Sequence, residues 1–588
     1  MKLSVNRNII WCEIFVRRLA ELGVKYVCIS PGSRSTPLTL AFASKKSIQN
    51  FSIIDERSSA FFALGLAKKT KSPVAVVTTS GTAVAELYPA IIEAYYQRIP
   101  LIVCTADRPR ELRNSGANQT INQQNIYRNH IRYFIDAGLP DVKKINRPHD
   151  LADNLIETSC FNDRGPVHIN FPFEKPFEPF SFTDKIEMKS LSRVLNKKWK
   201  EPKKKIEVDV DYNDLTAKFL NNERGLILVG YNNYQNDFSV ALNSLSNKLG
   251  YPVYYDGSSS LRYNSIKNEN FIESFTAFIR SKNFQKHFDP KIIIQFGNAP
   301  TSNVILEFFK NSKSEKILVN EFGDRNDPSL TAKNILKENP ASFCNNIIRR
   351  IQKGFIRDSC WQIDFNVMNN HAINLKHKLI DRAKFPFEGK IVTELFKSIP
   401  EDSNLFISNS LPIRDADFFA SVFGKRINVY TNRGASGIDG INSTALGIAK
   451  TSKTPTFLLV GDLAFFHDLN GLHNAIKYKI PLTIILVNNH GGGIFESLPI
   501  SNYRKYLKEN FLTPLELDLS KLVKAYGGTF IKVKSWKNFT DEIKLSSKNK
   551  LIRVLEIQTN AKSSKSIRNK YWNAVVNKID NYINEITS

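Results

Sequence analysis

Short apolar runs that break off into polar, turn-forming loops set the rhythm of the first third of the chain. Residues 26–30 run into Pro31-Gly-Ser-Arg-Ser-Thr-Pro37, residues 51–54 into Asp55-Glu56-Arg57, residues 74–79 into Ser80-Gly81-Thr82, and residues 101–105 into Ala106-Asp107-Arg108-Pro109. Helical-period segments lie between them, and a last run closes the region at 166–172. Continuous apolar strands alternating with helices predict a parallel sheet covered on both faces. The alternation resumes at 225–230, with further strands at 291–297 and 316–320. It starts a third time near Phe387, with strands at 404–408, 427–430, 456–461, 481–487 and 551–557. A lysine-rich stretch from Lys197 to Lys205 reads as a solvated linker, and a polar helical connection reaches to about residue 385. The pattern predicts an α/β protein of three consecutive doubly wound parallel-sheet domains, at residues 1–182, 206–355 and 385–588, with no short internal repeat.

Ligands of open α/β sheets bind at the carboxyl ends of the strands, so chemistry is sought in those loops. Gly461-Asp462-Leu463 ends one strand, and Asn489 follows Asp462 by 27 positions (489 − 462) at the end of the next. A helical pattern over 468–479 lies between, making a β-α-β unit that brings Asp462 and Asn489 out side by side. A carboxylate, an amide oxygen and a loop carbonyl there suit Mg²⁺, whose remaining ligands are phosphate oxygens and water.

Composition narrows the class. The chain has 588 residues, 42% of them hydrophobic, which describes a globular protein large enough for several cores. It carries no apolar run long enough to span a bilayer and no signal-peptide pattern near Met1, so a cytoplasmic location is expected. Six cysteines stand apart at positions 12, 28, 104, 160, 344 and 360, without the pairing of a zinc site or disulfide framework. Cys28 and Cys104 fall within apolar strands and read as core residues. The net charge of +26 raises the alternative of a nucleic-acid-binding protein, but the lysines are spread along the chain rather than gathered on one motif.

Gly461-Asp462 followed by Asn488-Asn489, together with Glu56 just after the second strand, resembles the thiamine-diphosphate enzymes. Six strings in order narrow the resemblance to the branch of that family acting in menaquinone biosynthesis. They are Ser30 to Pro37, Thr79 to Thr82, Thr105 to Pro109, Gly116 to Thr120, Asn432 to Gly440 and Asn488 to Gly492. The resemblance implies a transferase that binds thiamine diphosphate with Mg²⁺, or Mn²⁺, held by Asp462, Asn489 and the carbonyl of Gly491. Glu56 is then the catalytic acid at the pyrimidine N1′. Ser80, Gly81, Thr82, Ser410, Ile438, Gly461 and Leu463 complete the cofactor site, with Ile438 supporting the bent cofactor.

The implied substrates are 2-oxoglutarate and isochorismate, small dicarboxylates. The first is decarboxylated and the resulting succinyl-semialdehyde carbanion adds to the second in a 1,4 sense. Arg34, Arg108, Arg414 and Arg433 would grip carboxylates, assisted by Ser33, Gln119, Ser410 and Asn303. Family members often carry basic residues after the middle-domain glycine loop, whereas this chain has Gly297-Asn-Ala-Pro-Thr-Ser-Asn303-Val304; either another residue compensates, with Arg262 the candidate, or acceptor binding is weaker or different. His490 is read as a loop residue. The family also implies a homodimer or homotetramer, with the pyrimidine domain of one subunit facing the diphosphate domain of another. The nearest alternative is another thiamine-dependent enzyme, a 2-oxo acid decarboxylase or acetolactate-type synthase.

Overall fold

The computed structural model describes residues 2–182, 184–202, 210–232, 234–264, 270–421, 424–546, 548 and 550–588, apart from the side chain of residue 264. Lys203 to Lys205 of the expected linker, and the expected start of the second domain at 206, lie outside the described residues.

Three parallel sheets dominate. The first holds Tyr26–Ile29, Gln49–Ser52, Val74–Thr78, Leu101–Asp107, Tyr133–Asp136 and Val167–Pro172, in the spatial order second, first, third, fourth, sixth, fifth. The last holds Asn404–Ile407, Asn428–Tyr430, Thr456–Gly461, Leu482–Asn488, Thr529–Lys532 and Ile552–Gln558 in the same order. The middle sheet has Gly225–Val229, Val253–Tyr255, Ile292–Phe296, Glu315–Asn320 and Asn334–Lys337, ordered second, first, third, fourth, fifth. In each sheet the winding direction reverses between the first and third strands, which opens a crevice at their carboxyl ends. The loops that emerge there are 30–37 with 79–82 in the first sheet and 408–411 with 461–463 in the last.

Central strands follow the apolar runs closely. The strands that sequence pattern did not predict are Tyr133–Asp136, Val253–Tyr255, Asn334–Lys337 and Thr529–Lys532, and each lies at a sheet edge. Most of these carry polar residues on a half-exposed face, so no continuous apolar run marks them. The strand expected at 51–54 is Gln49–Ser52, leaving Ile54 outside it and 68% exposed. The helix expected over 468–479 is instead Asp462–His467, a 3₁₀ turn at Leu469–Gly471 and Leu472–Lys477. Lys2–Val5 also pairs antiparallel with Asp184–Glu187, a polar ribbon with no apolar signature.

The first and last domains share one core. Helix Glu56–Thr70 crosses helix Ile441–Lys450 so closely that a Cβ on Gly65 would lie 2.1 Å from the Thr444 carbonyl oxygen, and one on Gly447 would lie 2.2 Å from that of Phe62. Phe61, Phe62 and Leu66 pack with Ile441, Leu446 and Ile448. The middle domain is joined to the last by helix Ala561–Thr587, whose Tyr571, Val575 and Ile579 pack with Phe278, Trp361 and Phe365.

Arg262 belongs to this second junction, which corrects its reading as a substrate residue. It is fully buried and donates to the backbone carbonyls of Tyr255, Glu273, Asp417 and Ala420. Its guanidinium lies 3.5 Å from the Asp417 carboxylate, which also accepts from the Gly257 N–H at 2.7 Å and from the Tyr254 hydroxyl. Burial, reinforced by nearby Asp256, pushes the Asp417 carboxyl up to about 7. A carboxyl raised in the folded state contributes stability that is fully present below the unfolded range near about 4. That contribution is lost as pH rises through about 7. The thermal midpoint should therefore fall as pH rises from about 4 to about 7 and level off above that, and Asp417→Asn should flatten that fall. An unchanged slope in the variant would show that Asp417 does not titrate there.

Candidate active site

At the reversal point of the last sheet, Asp462 opens helix Asp462–His467 and is 2% exposed. Its Oδ1 accepts from the Leu463 N–H at 3.0 Å and its Oδ2 from the Gly491 N–H at 2.7 Å. Burial pushes the carboxyl up to about 6 and these backbone donors offset it only in part. Asn489 donates from Nδ2 to Glu388 Oε1 at 3.0 Å, while its Oδ1 is buried without a hydrogen-bond partner. An unpaired buried acceptor costs about 1–3 kcal/mol, and a hard cation satisfies one directly. Asp462 and Asn489 therefore fit a divalent ion.

The loop between them depends on glycine. Gly491 has φ +121° and a Cβ there would lie 1.9 Å from the Leu512 carbonyl oxygen; one on Gly493 would lie 2.5 Å from Asn489 Nδ2. The Gly491 carbonyl accepts from the Gly493 N–H at 2.8 Å, which leaves it a second lone pair. His490 is exposed, with φ +60° and its N–H on Asn488 Oδ1, so it is a loop residue as expected.

In the first domain, Glu56 is the first residue of helix Glu56–Thr70, capped by Asp55. Burial raises its carboxyl above the usual range, and Asp55 and Glu86 add to the shift. Its neighbours grip the last domain of the same chain: Asp55 accepts from Asn470 Nδ2 at 2.8 Å and Arg57 donates to the His467 carbonyl at 3.0 Å. These contacts fall at the far end of the helix that Asp462 begins, a span of about 9 Å.

Ser80, Gly81, Gln119 and Arg108 form one cluster. Ser80 Oγ donates to the Gln119 carbonyl at 3.0 Å and accepts from Arg108 at 3.3 Å, and Gln119 Nε2 donates back to the Ser80 carbonyl at 3.1 Å. Gly81 has φ +86° and gives its N–H to Gln123, and Thr82 begins the following helix. Arg34 donates to the Phe173 carbonyl at 2.6 Å and lies over the Phe177 ring. Burial, with Arg108 close by, lowers it to about 10. Ser33 is exposed on the same loop.

The last domain holds a second pair. Ser410 sits at φ +71° before helix Leu411–Phe419, and its carbonyl accepts from Arg414 at 2.8 Å. Burial, and then the charge of Arg433, lower Arg414. Arg433 reaches Asn409 Oδ1 at 3.4 Å, and Ile438 packs half-buried against the shared core. Gly461 caps the strand end with open space around it. Among the described residues no hydrogen bond or ion pair joins the Arg34 and Arg108 cluster to the Arg414 and Arg433 cluster. Asn303 is exposed at the start of helix Asn303–Asn311 in the middle domain, apart from both.

Family models match in three blocks: the N-terminal thiamine pyrophosphate (diphosphate) binding domain over residues 11–126, the middle domain over 191–407, and the C-terminal binding domain over 424–557. A 2-succinyl-5-enolpyruvyl-6-hydroxy-3-cyclohexene-1-carboxylate synthase of Bacillus cytotoxicus is 37% identical over 95% of this chain and 95% of its own length. The synthase of that name from Geobacillus kaustophilus is 35% identical over 97% of this chain and 98% of its own. This chain belongs to that synthase family. A solved benzoylformate decarboxylase from Polynucleobacter necessarius shares the fold, with a TM-score of 0.69 at 17% identity, covering 94% of this chain and 98% of that one. The motif resemblance is thereby borne out, and the nucleic-acid alternative is set aside.

What the motifs did not reveal in this member of the synthase family is the layer that holds the site loops. Glu93, on helix Tyr88–Tyr96 of the first domain, accepts the N–H groups of Gly434, Ala435 and Ser436 at 2.8, 2.7 and 3.3 Å. Lys68, pushed down to about 7 by burial, donates to the Thr431 carbonyl and to Asn432. A lone charge inside an apolar helix was the available signal, since such charges are rarely buried without a partner. Glu93→Gln removes one acceptor oxygen of a charged group, worth about 1.5–3 kcal/mol. Amide hydrogen exchange at 434–436 should accelerate by about 10- to 100-fold; unchanged exchange would show that the loop is held by other contacts.

Proposed function

We propose that this chain carries out the reaction its relatives are named for: thiamine-diphosphate-dependent decarboxylation of 2-oxoglutarate and 1,4-addition of the resulting succinyl-semialdehyde carbanion to isochorismate. The observation that carries this reading beyond family membership is the set of arginines that follow the carboxyl ends of strands, Arg34 and Arg108 in the first domain and Arg414 and Arg433 in the last. Guanidiniums gathered at strand ends suit anionic partners, and both substrates are dicarboxylates. Ser33, Gln119, Ser410 and Asn303 are the proposed neutral donors.

When bound, thiamine diphosphate supplies the carbon nucleophile and the electron sink for decarboxylation. Asp462, Asn489 and the Gly491 carbonyl are proposed to hold Mg²⁺ or Mn²⁺ against the diphosphate, with Ser80, Gly81, Thr82, Ser410, Ile438, Gly461 and Leu463 lining the cofactor. Glu56 holds a proton at the pyrimidine N1′, a role its burial-raised carboxyl supports. The active form is proposed to be a homodimer or homotetramer. A cytoplasmic setting accords with the free cysteines, and no helix among the described residues is long and apolar enough to cross a membrane.

Incubation with Mg²⁺, thiamine diphosphate, 2-oxoglutarate and isochorismate should release CO₂ and consume the isochorismate diene. Turnover of pyruvate without isochorismate would point instead to a 2-oxo acid decarboxylase. Glu56→Gln should lower kcat by about 10²- to 10⁴-fold while cofactor affinity stays near normal; undiminished turnover would remove its assigned role. Asp462→Ala should abolish cation-dependent cofactor binding in calorimetry, and normal affinity would count against the cation site.

A further inference from the structure

An asparagine presents two chemically opposite ends of nearly identical shape, and only its oxygen can bind a cation. Something in the fold must therefore choose which end of Asn489 is offered. The choice falls to Glu388, the first residue of helix Glu388–Ser398, which is 2% exposed. Its Oε1 accepts from Asn489 Nδ2 at 3.0 Å and from Thr559 Oγ1 at 3.0 Å. A carboxylate has no proton to give, so the amide nitrogen must face it and Oδ1 is left over.

Glu388 is fixed from behind. Arg568 donates to its Oε2 at 2.6 Å and makes a two-pronged contact with Asp415, at 3.0 and 2.7 Å. All three side chains are buried. Arg568 comes from helix Ala561–Thr587, which packs into the middle domain, and Asp415 follows Arg414 on the helix that Ser410 begins.

We infer that Glu388 is a positioning residue that sets the orientation of the Asn489 amide, with Arg568 locking Glu388 in place and tying it to the helix bearing Arg414. The inference rests on the proposed cation site, because it assigns a role toward that ion. It makes a specific claim about Glu388→Gln, which preserves shape. Arg568 would draw the new amide's oxygen toward itself and turn its nitrogen toward Asn489. The Asn489 amide would then invert, directing its own nitrogen at the cation. Adding Asn489→Asp to Glu388→Gln removes the ambiguity, since either carboxylate oxygen can bind the ion while the other accepts from the Gln amide.

The test is Mn²⁺ binding to the full-length protein with thiamine diphosphate, followed by electron paramagnetic resonance, for the wild type, Asp462→Ala, Glu388→Gln and the double variant. Glu388→Gln should weaken Mn²⁺ binding by about 10- to 100-fold, and the double variant should recover to within a few-fold of wild type. Wild-type affinity in Glu388→Gln, alongside loss in Asp462→Ala, would overturn the positioning role and leave the cation site standing. Equal Mn²⁺ binding in wild type and Asp462→Ala would instead overturn the cation site, and this inference with it. Should Glu388→Gln fail to fold, the double variant decides: near-normal binding supports the role, and loss of binding overturns it.

Discussion

The crossing of helices Glu56–Thr70 and Ile441–Lys450 is the contact on which the remaining geometry depends. With glycine at 65 and 447 the backbones meet directly, and a methyl group at either position would collide with a carbonyl oxygen. Backbones in contact allow two separate sheets to bury their apolar faces in one shared core. That approach also brings first-domain side chains within reach of last-domain loops. Glu93, Lys68 and Gln97 all hold segment 431–436, and Asp55 to Ser58 hold 467–470. The two buried charges of this group, Glu93 and Lys68, are satisfied by groups across the junction, chiefly backbone.

The sequence was most legible where local chemistry and structure coincide. Central strands such as Val74–Thr78 and Thr456–Gly461 are covered on both faces and must be apolar throughout, so their runs stand out. Edge strands such as Asn334–Lys337 carry no such obligation and leave no run. The strand-end motifs were equally readable, because glycine at 81 and 491 answers to left-handed or strained backbone and Asp462 to a helix start. What supports those motifs was not readable. Glu388, Arg568 and Glu93 act on residues that are distant in the chain, and no spacing rule links position 388 to 489 or 93 to 434. Arg262 misled for the same reason: an arginine among serines looks solvent-facing until Asp417 and Ala420 are folded over it.

The first and last domains share a strand order without a detectable sequence repeat. Both domains present arginines in their strand-end loops, but only the first adds the Ser80-Gly81 turn and only the last the Asp462 and Asn489 pair. The middle domain, one strand shorter, receives the last domain's helix Ala561–Thr587.

That helix gives the molecule a built-in order of assembly. Asp462 and Asn489 leave the ribosome well before Arg568, so the strand ends can form while the residue that anchors their support is still unmade. The middle domain is already synthesised when Tyr571 and Val575 arrive to complete the core they share with it. A nascent chain stalled between positions 489 and 568 would carry every motif of the site without the arginine that locks Glu388 in place.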